Sequence, residues 1–104
     1  MGYAAESGER SILAVKGHYH EAAVGCWFTS QGRGIPQLVK YKDEDGCICT
    51  LRDIAVVHAE QRRYTGILMQ RYDCRTVVDG IEKEFMLLYH PDSNRWDLVL
   101  SGSR

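Results

Sequence analysis

No apolar run in the 104-residue chain approaches the roughly 20 residues needed to cross a bilayer as a helix. The N-terminus also lacks the basic start, apolar centre and small-residue cleavage site of an export signal, so a cytoplasmic location with no membrane partner is expected. A basic excess is missing too. Thirteen Lys and Arg stand against 14 Asp and Glu, a formal net charge of -1, which argues against a nucleic-acid binder held by charge alone. A local basic patch is compatible with that balance. Catalytic signatures are equally scarce: no glycine-flanked nucleophile elbow occurs, and the glycine-rich residues 30–34 lack the lysine and following helix of a phosphate loop.

What is present is a composition of 44% hydrophobic and 26% charged residues, typical of a soluble globular chain and sufficient for one core. Four cysteines, Cys26, Cys47, Cys49 and Cys74, would suit two disulfides in an oxidising compartment; without an export signal they are expected as free thiols. Residues 1–9 read as a flexible arm, 10–100 as a single β-barrel-like domain and 101–104 as a polar tail.

The strongest local signal lies in residues 70–100. Asp79-Gly80 is a two-residue turn of the kind that supplies two positive-φ positions and matches the twist of a hairpin. It sets Val78 opposite Ile81, Cys74 opposite Phe85, Tyr72 opposite Leu87 and Gln70 opposite Tyr89, all on one face. Arg71, Asp73, Arg75, Glu82 and Glu84 fall on the other, with Arg75 opposite Glu84. Residues 91–94 form a second turn that places His90 opposite Arg95, Tyr89 opposite Trp96, Leu87 opposite Leu98 and Phe85 opposite Leu100. Two turns therefore agree on one apolar face, and a slip of one residue would destroy the agreement.

Upstream, residues 11–16 predict a short first strand, and 19–29 a second with His20, Ala22, Val24, Cys26 and Phe28 on one face and Trp27 on the other. Pro36 fits the start or edge of the next strand. Residues 37–42 and 47–51 flank Asp43-Glu44-Asp45-Gly46, read as a four-residue loop that sets Tyr41 opposite Ile48 and Val39 opposite Thr50. Cys47 and Cys49 would then face away from Tyr41, alongside Lys40 and Lys42. The acidic loop lacks the spacing and terminal Glu of an EF-hand. Residues 51–63 carry conflicting signals: Ile54 to Val57 favour a strand over 54–59 followed by a charged connection, while Thr50 with Asp53 and the run from Ala59 to Arg63 also suit a short helix. The expected fold is all-β, six to seven short strands with at most one short helix, forming a small antiparallel barrel or strongly bent sheet of SH3-like type.

Three function classes follow. The first is a non-enzymatic domain that binds a protein partner or forms a homodimer, with Trp27 as the candidate contact because it lies opposite the apolar stripe of its strand. The second is a single-stranded nucleic-acid binder using Arg62, Arg63 and Tyr64, since small barrels stack bases on aromatics and hold phosphates with cations. The third is a zinc- or thiol-dependent enzyme. His18, His20, Cys47 and Cys49 form two pairs at the spacing that aims both members to one side of a strand, although nothing in the sequence brings the pairs together. No cofactor is expected from the leading reading.

Overall fold

The computed structural model describes residues 18–100, so the predicted strand at 11–16 and both tails lie outside the described residues. Seven strands are present: β1 (His18–Phe28), β2 (Gly34–Lys42), β3 (Ile48–Leu51), β4 (Ala55–Tyr64), β5 (Ile67–Val78), β6 (Ile81–His90) and β7 (Arg95–Leu100). They form one antiparallel sheet in the order β3-β2-β1-β7-β6-β5-β4, curled into a half-barrel. No helix occurs among the described residues.

The β5–β6 and β6–β7 hairpins have the predicted register throughout. Cys74 faces Phe85, Tyr72 faces Leu87, Leu87 faces Leu98 and Tyr89 faces Trp96. The turn explains why: Asp79 and Gly80 both have positive φ, 52° and 77°, the pair of left-handed positions that lets two strands reverse without splaying. On the outer face Arg75 lies opposite Glu84 as expected, while its guanidinium donates diagonally to Glu82 at 3.4 Å.

The inner face carries the main core. Val39, Leu51, Tyr72, Cys74, Phe85, Leu87, Trp96 and Leu98 are buried there, flanked by Ala22, Val24, Cys26, Tyr41, Tyr89 and Leu100. Leu87, Leu98 and Val39 are completely excluded from solvent, each worth about 1.5–3 kcal/mol of transfer free energy. A second cluster, Met69, Met86, Leu88 and Val99, is buried on the outer face of the same strands, so the central sheet is apolar on both sides.

Two sequence expectations need correction. In the β2–β3 hairpin, Tyr41 faces Cys49 and Val39 faces Leu51, one residue away from the expected register. The cause is Asp43. Its backbone N–H donates to Cys47 O at 2.9 Å, and its carboxylate accepts from the N–H groups of Asp45 (2.9 Å) and Cys47 (2.8 Å). This shortens the loop to three residues, with Gly46 at φ 86° in the left-handed position such a loop requires. Cys49 consequently joins the face of Tyr41. The second correction concerns β4, which begins at Ala55 as a strand but continues through the supposed charged connection to Tyr64. Pairing with β5 from Ala55↔Arg75 to Tyr64↔Ile67 overrides the helix propensity of residues 59–63.

Candidate interaction surfaces

Where β1 and β2 run into their connecting turn, Trp27 and Ile35 lie opposite each other on the outer face. Trp27 is 69% exposed and Ile35 37%. The next residue, Phe28, points to the inner face and is still 55% exposed, because the sheet ends there. Three large apolar side chains thus surround one hairpin end. Pro36 can sit beside them without losing a ladder hydrogen bond, since β3 pairs with β2 from Val39 to Lys42 and the first half of β2 is locally an edge. The register shift between Gly25 and Cys26 lies opposite this same stretch.

Behind Phe28 the inner face carries a chain of aromatic rings. Phe28 and Tyr89 have centroids 6.4 Å apart, Tyr89 and Trp96 4.7 Å, and Trp96 and Tyr72 5.8 Å. Tyr72 donates to Gln70 Oε1 at 2.9 Å and reaches over Gly34, joining β5 to β2 across the trough. The other end of the half-barrel is tied by Thr76, whose hydroxyl donates to Arg52 O in the short β3–β4 connection.

The basic candidates diverge. Arg62 and Arg63 are consecutive in a strand and therefore point to opposite faces. Arg62 Nε donates to Glu60 Oε2 at 2.7 Å, and Arg63 donates to Gly66 O at 3.3 Å; Tyr64 ends the strand. Glu60 also meets His58 at 3.3 Å, and these two hydrogen-bonding partners hold its carboxyl below the ordinary glutamate range, His58 first and Arg62 second.

His18, His20 and Cys49 share the inner face but stay apart, and Cys47 precedes β3 in the loop. His18 and His20 belong to β1 and Cys49 to β3, with the whole of β2 between them. Neighbouring strands lie about 4.8 Å apart, so the two pairs are separated by about twice that distance. Tyr41 fills the space: its ring packs on His20 at 5.2 Å, and it stands opposite Cys49. Cys47 is exposed, and no group of three or more His, Cys, Asp or Glu able to hold a metal occurs among the described residues.

Two of the thiols are displaced away from the thiolate form. Burial pushes Cys26 up, and it pushes Cys74 to about 12, with Asp73 adding to the shift. An activated thiol needs the opposite displacement.

Two concavities complete the surface. One of about 800 Å³ lies between Tyr41, Cys49 and Leu51 on one side and Val78, Ile81 and Phe85 on the other. A second of about 330 Å³ separates the β1–β2 turn at Gln31 to Gly34 from Ala59, Glu60 and Gln61 of β4. Comparison with protein-family models, with curated proteins and with solved structures finds no match.

Trp27 is exposed, in keeping with its place opposite the apolar stripe of β1, whereas nothing in the sequence distinguishes Ile35. Phe28 belongs to the apolar stripe by periodicity, and only its place at the end of the sheet exposes it.

Proposed function

We propose that this protein is a non-enzymatic interaction domain that binds another protein through the open end of its β1–β2 hairpin. The reading includes a small-barrel scaffold of SH3-like kind and a cytoplasmic site of action. One observation carries it: Trp27 is 69% exposed beside Ile35, at a place where the core has no use for it. Tryptophan dominates protein–protein contacts because it buries a large, rigid apolar area and loses little side-chain entropy on binding. Phe28 extends the contact around the strand end, and the turn supplies a polar rim through Gln31 and Arg33.

The test uses the full chain as bait beside a Trp27→Ala variant, with circular dichroism to verify that both fold alike. A specific protein identified by mass spectrometry, retained by the native chain and lost by the variant, is the expected result. It should then bind the purified chain directly, with Ile35→Ala weakening the complex. If retention is indifferent to both substitutions, the hairpin end is not the docking surface.

A further inference from the structure

The two ends of the sheet differ greatly. β3 offers four residues, whereas β4 offers ten, and among the described residues β4 is hydrogen-bonded to β5 alone. An end strand of that length presents a row of backbone donors and acceptors able to pair with another strand. The register shift between Val56 and His58 interrupts it near its start, leaving a regular stretch over residues 58–64.

That stretch is suited to itself. In an antiparallel pair, opposite residues point to the same side, so a two-fold axis normal to the sheet must run between one residue and its own copy, and the register is centred on a residue. Centred on Glu60, the pairing would set each Glu60 against its own copy; centred on Arg62, it would do the same with two guanidinium groups. Centred on Gln61, the midpoint of residues 58–64, it sets Glu60 opposite Arg62 of the second copy and Arg62 opposite its Glu60. Both belong to the outer face by register, opposite to Ala59 and Gln61, although Glu60 also borders the cleft that separates this strand from the β1–β2 turn. The ion pair that Glu60 and Arg62 already make within one strand, at 2.7 Å, then becomes a four-membered alternating network.

We propose that the protein forms a two-fold dimer by antiparallel pairing of β4 with β4 of a second copy, in the register centred on Gln61, joining two half-barrels into one continuous sheet. This goes beyond the hairpin surface and does not require Trp27.

Light scattering and sedimentation of the full chain at high micromolar concentration and low salt test it. A dimer is expected. Glu60→Arg and Arg62→Glu, each placing like charges opposite one another twice per dimer, should weaken it about tenfold. The double exchange, Glu60→Arg with Arg62→Glu, should restore it, because the alternation is rebuilt with the signs reversed. Amide exchange read against protein concentration supplies a second measurement, with protection in residues 58–64 rising as the dimer forms. A strict monomer overturns the proposal. A dimer indifferent to both single reversals, or one lost on Trp27→Ala, overturns it as well, and in the latter case the hairpin surface itself is the self-contact.

Discussion

The hydroxyl of Tyr72 occupies the space that a side chain on Gly34 would need: a Cβ there would lie 2.6 Å from it, and 3.2 to 3.3 Å from Phe28 Cε1 and Cys26 Sγ. Tyr72 is 4% exposed and belongs to the main core, so it has little freedom to withdraw. Gly34 is required for closeness of approach, not for a left-handed backbone. Gly34→Ala should destabilise the fold by about 1–3 kcal/mol, the usual cost of overpacking, measured as a lower urea midpoint with unchanged slope. Tyr72→Phe in the same background should recover part of the loss by removing the atom that clashes.

Thr76 is a buried polar side chain, the one such among the described residues, and its hydroxyl holds the carbonyl of Arg52. Replacement by valine keeps the shape and removes the donor. Thr76→Val is expected to cost about 1–3 kcal/mol, because the Arg52 carbonyl loses its partner. Hydrogen exchange should rise at the start of β4 before it rises elsewhere, since that connection is what the hydroxyl ties down.

Cys74 makes stability sensitive to alkali. Burial raises its thiol to about 12, whereas in the unfolded chain it titrates near an ordinary value of about 8.5. The native state therefore keeps a proton that the unfolded state releases. The stabilisation is present in full below the unfolded value and is lost as pH rises toward the folded one. Urea midpoints should fall above about pH 8.5, and Cys74→Ala, though less stable at neutrality, should show a shallower decline. In the native protein Cys47 should react with a thiol reagent at once and Cys74 only on unfolding.

Asp43 acts at the other end of the scale. Its carboxylate is held below the usual aspartate range first by the Cys47 N–H; desolvation opposes this as the next largest influence, and the Asp45 N–H adds to the lowering. A depressed folded value gives stabilisation that is present above the unfolded pKa and disappears as pH falls through the folded one. Asp43→Asn retains an acceptor but no titration, so its urea midpoint should depend less on pH between neutrality and about pH 3 than that of the native chain.

The C-terminal hairpins were legible because two independent turns had to agree with one apolar face, and Asp79-Gly80 permits a single loop length. The β2–β3 register was not, because Asp43 can act as the last strand residue or the first loop residue, and only its hydrogen bonds to Asp45 and Cys47 decide. A shift of one residue there moved Cys49 to the opposite face and altered the prospects of the proposed zinc ligands. Residues 60–63 have helix-forming side chains that lose to the ladder offered by β5, a tertiary effect invisible in a local window. The outer cluster of Met69, Met86, Leu88 and Val99 left a readable trace. Phe85 to Leu88 is an unbroken apolar run, the mark of a strand covered on both faces, although attention to alternation alone passes over it.

Strand order also has a consequence for closure of the sheet. β1 to β3 form one meander and β4 to β7 another, and the backbone ladder that joins them is the pairing of β1 with β7, from His18↔Leu100 to Ala22↔Trp96. β7, the last of the described strands in chain order, thus lies in the middle of the sheet. Until β7 is in place, the facing edges of β1 and β6 are both left without a partner among the described strands, and neither half of the sheet can close.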